Sequence, residues 1–112
     1  MTVPEGENMA STKEYLEYVL EQLRDLEDIS WRPMMGEYVL YYNGKAVGGI
    51  YDDRFLLKPT ASALKIVPRP VYSLPYEGAK EMLVADIDDR MLMEKLIPAI
   101  AEDLPVRGKR KK

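Results

Sequence analysis

The 112-residue chain contains no cysteine and no histidine. Without thiols there is no disulfide and no thiolate nucleophile, and a Cys/His zinc site cannot be assembled. Without imidazole, no side chain has an ordinary pKa near neutrality for acid–base catalysis or pH switching. Tryptophan and phenylalanine occur once each, against eight tyrosines. No apolar run approaches the roughly 18 residues that a membrane span requires. The opening Met1-Thr2-Val3-Pro4-Glu5-Gly6-Glu7-Asn8 lacks the basic and apolar regions of a signal peptide. Cytoplasm is the expected compartment. Spacing assembles no nucleophile–base–orienter set, so the expectation is a protein that is not an enzyme and uses no cofactor.

What is present is a hydrophobic content of 46%, enough for one core. The expected organisation is a disordered leader over 1–10, a single domain over 11–105 and a basic, disordered tail over 106–112. The net charge of −3 hides an asymmetry: the last six residues carry five cations. The remainder has 11 basic against 19 acidic residues, a net −8. Such a body repels nucleic acid over most of its surface, and only the tail invites it.

Ser11-Thr12-Lys13-Glu14 matches a capping box, with Ser11 as the cap. Tyr15, Leu16, Val19, Leu20, Leu23 and Leu26 follow at helical spacing, so a helix is expected from about Thr12 to Leu26. Ile29 to Met34 reads as a first strand, and Pro33, which has no N–H to donate, places it at an edge or at a bulge. Asn43-Gly44 and Asp52-Asp53 read as two-residue hairpin turns. Thr60 caps a short helix to Ile66. Pro68, Pro70 and Pro75 impose an extended loop with a strand near Val71–Leu74. Lys80–Ala85 reads as the last strand. A final helix begins at Asp88, with Pro98 kinking or restarting it. The expected fold is α+β: a two-layer antiparallel sheet with helices on one face, in the order α-β(3–4)-α-β(1–2)-α.

The Asn43-Gly44 turn sets Tyr42 opposite Lys45, Tyr41 opposite Ala46 and Val39 opposite Gly48; if Asp52-Asp53 is also a two-residue turn, Tyr51 faces Arg54 and Ile50 faces Phe55, and alternation sorts the meander into two faces. Val39, Tyr41, Ala46, Gly48, Ile50, Phe55 and Leu57 would meet the helices. Tyr38, Leu40, Tyr42, Val47, Tyr51, Arg54 and Leu56 would share the other side with Gly49, Lys45 and Lys58. Tyrosine and arginine are enriched where proteins meet, so these seven are the candidate partner interface. The same face could stack on a nucleic-acid strand, or be a solvated face whose long side chains cover aliphatic neighbours.

Other features carry a plain structural reading beside the functional one. Asp86, Asp88 and Asp89 could hold a hard cation, but carboxylates before a helix more simply cap it. Gly48-Gly49 could admit a ligand, but glycines inside a strand more simply mark a bulge or close packing. Arg107, Lys109, Arg110, Lys111 and Lys112 could contact phosphates without reading sequence; the simpler role is a solubilising terminus.

The ordered set Met34-Met35-Gly36, Tyr42-Asn43-Gly44-Lys45, Asp52-Asp53-Arg54-Phe55-Leu56-Leu57-Lys58, Pro75-Tyr76 and Met82-Leu83, closed by a terminal helix, resembles the N-terminal domain of the TfoX/Sxy family of competence regulators. It is closest to short, stand-alone members from Gram-positive bacteria. The resemblance spans about Thr12 to Leu104. Two departures stand out: Glu37 replaces the second glycine of the opening motif, and the second domain of the larger regulators is missing. The resemblance implies a two-layer fold grouped with secretion chaperones. It also implies a non-enzymatic regulatory or adaptor module, contacting a protein partner such as a transcription regulator in the control of DNA-uptake genes. A homodimer through the tyrosine-bearing face is a secondary expectation. The alternative is a nucleic-acid-binding accessory protein using the basic tail.

Overall fold

The computed structural model describes residues 11–105. Helix α1 (Lys13–Gln22) starts where the Thr12 hydroxyl accepts from the Tyr15 amide at 3.1 Å. Thr12, not Ser11, is the N-cap. The Ser11 hydroxyl is engaged elsewhere, donating to Glu37 Oε1 at 2.7 Å and accepting from the Asp53 amide at 3.2 Å. The helix is shorter than its apolar stripe: beyond Gln22 the chain turns through to Asp28, at φ 64°.

Strands β1 (Ile29–Met34), β2 (Glu37–Tyr42), β3 (Lys45–Ile50) and β4 (Phe55–Leu57) precede α2 (Ala61–Ile66). Strands β5 (Tyr72–Ser73) and β6 (Met82–Val84) then lead to α3 (Arg90–Asp103). The six strands form one antiparallel sheet in the order β1-β2-β3-β4-β6-β5. Three hairpins have positive φ at both central residues: Met35-Gly36 at 52° and 87°, Asn43-Gly44 at 55° and 78°, and Asp52-Asp53 at 54° and 55°. Their backbone twist matches that of the flanking strands. Pro33 lies on the edge strand β1, as its missing donor requires. Thr60 caps α2. Asp89 rather than Asp88 caps α3, accepting from the Leu92 amide at 3.1 Å. Asp88 instead accepts from the Tyr18 hydroxyl. Helix α3 runs through Pro98 without restarting.

The helices lie on one face, giving a two-layer α+β fold. Leu16, Val19 and Leu23 of α1 join Met93, Leu96, Ile97 and Ile100 of α3 in one buried cluster with Ile50, Phe55, Leu57 and Leu83 of the sheet. Each fully buried aliphatic side chain of this kind contributes about 1.5–3 kcal/mol relative to exposure.

The face assignment of β2 and of the start of β3 is corrected. Tyr42 faces Lys45 and Tyr41 faces Ala46, as the Asn43-Gly44 turn demands. The register then shifts by one, and Leu40, not Val39, faces Gly48. Val47 is the extra residue of this bulge. Leu40 and Val47 are buried at 0% and 1% exposure in the helix-side core, and Tyr38 and Tyr42 pack against it. Val39 and Tyr41 alternate to the other side. Lys45 also reaches the helix layer, where its ammonium donates to the Ala101 carbonyl at 3.1 Å, near the C-terminus of α3. Beyond the bulge the expected pairing holds: Ile50 faces Phe55 and Gly48 faces Leu57.

Candidate interaction cleft

The Asp52-Asp53 turn joins Tyr51 and Arg54, whose amides donate to each other's carbonyls at 2.9 and 3.0 Å. Arg54 is consequently placed to reach across the sheet's far side. Its Nε donates back to the Tyr51 carbonyl at 3.0 Å. Its two Nη atoms donate to Ser73 Oγ, to the Leu74 carbonyl at 2.8 Å and to the Pro75 carbonyl at 3.2 Å. One planar fork thereby fastens the segment after β5 to the β3–β4 hairpin. Tyr76, which follows that segment, has its ring 6.3 Å from that of Tyr51, inclined at 54°.

The Tyr51 ring lies on the helix-free face. Gly49 and Leu56 are partners in register, so a β-carbon on Gly49 would share a face with Leu56, and it would meet Tyr51 Cε2 and Oη at 2.9 Å. Leu56 is fully buried yet stands outside the helix-side cluster. Its burial therefore comes from the side of Tyr51.

Beside these rings opens a cleft of about 430 Å³, walled by Tyr51, Pro75, Tyr76, Ala79 and Met82, with Lys58, Lys80 and Glu81 also lining it. Burial, then the neighbouring phenol of Tyr76 and the carboxylate of Glu37, push the Tyr51 pKa up from 10.0. Its hydroxyl is thus a neutral donor at physiological pH. The cleft offers aromatic and apolar surface, with two lysines and a glutamate among its lining residues.

The seven residues expected on one surface are divided. Tyr38, Leu40, Tyr42 and Val47 belong to the helix layer, because the bulge turns them inward. Tyr51, Arg54 and Leu56 stay together on the far side. Of these three only Tyr51 lines the cleft; Arg54 braces its wall and Leu56 is sealed. Tyr76, 63% exposed, completes the site. Sequence reasoning did not place it there, since no local spacing signals that the 73–76 segment folds against the β3–β4 turn. Asp86, Asp88 and Asp89 do not converge, and among the described residues no group of three acidic side chains could hold a metal ion. No described helix is long and apolar enough to cross a membrane. Arg107, Lys109, Arg110, Lys111 and Lys112 lie outside the described residues.

The model of the TfoX N-terminal domain matches residues 21–93, a span that contains every strand and the whole cleft. The chain belongs to the TfoX N-terminal domain family. The uncharacterized 12.7 kDa protein in the trpE 5′ region of Spirochaeta aurantia is 34% identical over 105 residues, covering 92% of this chain and 91% of that protein. No solved structure matches. The TfoX N-terminal domain is not known as an enzyme and points to a competence-regulator-like module.

Proposed function

We propose that this TfoX N-terminal domain is a non-enzymatic adaptor in transcriptional control, docking a segment of a transcription regulator in the Tyr51–Tyr76 cleft. The observation that carries the reading is the cleft itself. Two tyrosines, a proline and a methionine form an apolar wall, and Lys80 stands beside it. Aromatic anchors of this kind dominate binding energy at interfaces. A segment with an apolar residue followed by acids fits the wall and the cation together.

The test places a photo-crosslinking amino acid at position 76 of the full chain in its host cells. Mass spectrometry should identify a DNA-binding regulator, and Tyr51→Ala should abolish its capture. Recovery of no protein, or capture unchanged by Tyr51→Ala, rejects the reading. The basic tail supports a second reading, weak binding to nucleic acid. Deleting 107–112 should then abolish a retardation that salt also weakens steeply, and binding unchanged by the deletion rejects it.

A further inference from the structure

The outer edge of β1 has an alternation that follows from one hydrogen bond. The Asn43 amide donates to the Asp28 carbonyl at 3.0 Å. Hydrogen-bonded pairs in an antiparallel ladder recur at every second residue. Ser30/Tyr41, Arg32/Val39 and Met34/Glu37 are therefore the bonded pairs of β1 with β2. Ile29, Trp31 and Pro33 direct their backbone groups to the edge that is unpaired among the described residues. Pro33 is tolerated because its missing N–H faces outward. Beside this edge Trp31, Met34 and Met35 are 39%, 54% and 97% exposed. The opposite edge, β5, has only two residues in its ladder.

We propose that β1 pairs antiparallel with β1 of a second copy of this chain, about a two-fold axis through Ser30. Trp31 then lies opposite Ile29 of the second copy, and the two residues exchange both backbone bonds. The symmetric pair does the same, giving four inter-chain hydrogen bonds. None of them calls on the proline nitrogen. On the helix side, Trp31 and Ile29 form an apolar cross-strand pair twice over. Arg32 comes opposite Asp28 of the second copy, the turn residue that leads into β1, also twice. Neither the Arg32 guanidinium nor the Asp28 carboxylate has a partner among the described residues. Sliding the register by two, so that Trp31 faces itself, puts Arg32 opposite serine and Asp28 opposite methionine. The charge pattern therefore selects the Ser30 axis.

An isologous contact of this kind closes at two copies and leaves no further β1 edge to recruit a third. The axis stands perpendicular to the sheet, so both helix layers lie on one side and both Tyr51–Tyr76 clefts on the other. The dimer rests on β1 alone and stands or falls separately from the cleft.

Sedimentation of the full chain over rising concentration should show a monomer–dimer equilibrium. Arg32→Asp should raise the dissociation constant about tenfold or more, since two attractive pairs become repulsive. Arg32→Asp combined with Asp28→Lys should recover most of that loss. Amide exchange followed by NMR gives a readout independent of substitution. Protection at Ile29 and Trp31 should rise with concentration, while Ser30 and Arg32, already bonded to β2, should not change. A monomer at every concentration up to about 1 mM overturns the proposal. So does a dimer in which Ile29 and Trp31 exchange as fast as in the monomer, or one indifferent to Arg32→Asp.

Discussion

The Tyr51 ring stands where a side chain on Gly49 would be, with its Cε2 and Oη each 2.9 Å from the position of a β-carbon there. The same β-carbon would sit 2.6 Å from the Tyr38 carbonyl oxygen, which is backbone and cannot swing away. Gly49→Ala should therefore cost about 1–3 kcal/mol through overpacking and expel the Tyr51 ring from the cleft wall. The urea midpoint reports the first effect and capture by the position-76 crosslinker the second. An unchanged midpoint would contradict the placement.

Ser11 ties the start of α1 to two hairpins at once. Its hydroxyl bonds Glu37 Oε1 and the Asp53 amide, and its amide donates to the Gly36 carbonyl at 3.0 Å. The same Glu37 oxygen accepts from the Asp52 amide at 3.0 Å. Ser11→Ala should cost about 1–2 kcal/mol, because it removes a largely buried bridge between groups that stay in place. Chemical denaturation followed by Trp31 fluorescence measures this. A loss below a few tenths would mean that water replaces the hydroxyl without cost.

Arg54 serves four carbonyl and hydroxyl oxygens at once, if its Nε bond to Tyr51 is included. Arg54→Lys retains the charge but not the planar fork, and should loosen the 72–80 segment almost as much as Arg54→Ala does. Hydrogen exchange should accelerate there by about tenfold, corresponding to about 1.4 kcal/mol of local stability, while the α3 amides remain protected. Equal protection in Arg54→Lys and the parent chain would show that charge alone suffices.

Asp103 and Tyr51 contribute to the pH–stability curve with opposite signs. The Ser62 amide, with the Thr60 and Ser62 hydroxyls, holds the Asp103 carboxyl below its ordinary 3.8. A depressed folded-state pKa gives stability that is present above the unfolded value and lost as pH falls below it through the folded value. Asp103→Asn should flatten the decline below pH 3.8. Tyr51 has the opposite sign: burial raises its pKa above 10.0. Its contribution is intact below pH 10.0 and is lost as pH rises through the folded value, so Tyr51→Phe should flatten the alkaline decline. Urea midpoints across both ranges, with phenolate absorbance for Tyr51, check each sign.

Most elements and their order are legible in the residues alone. Asn43-Gly44 and Asp52-Asp53 are legible as hairpins because few residues accept positive φ at two successive positions. Pro33 marked an edge because it lacks a donor, and Thr60 marked a helix start because its hydroxyl can accept an amide. Which side of β2 faces the helices is settled by the strand register in the folded sheet. A single extra residue, Val47, reverses that assignment, and a period-two pattern of apolar residues reads nearly as well in either register. Tyr38, Leu40 and Tyr42 turn inward for that reason. Tyr51 meets Tyr76 only because Arg54 fastens a proline-bearing segment 20 residues downstream in the chain, and such a long-range contact leaves no local period in the sequence.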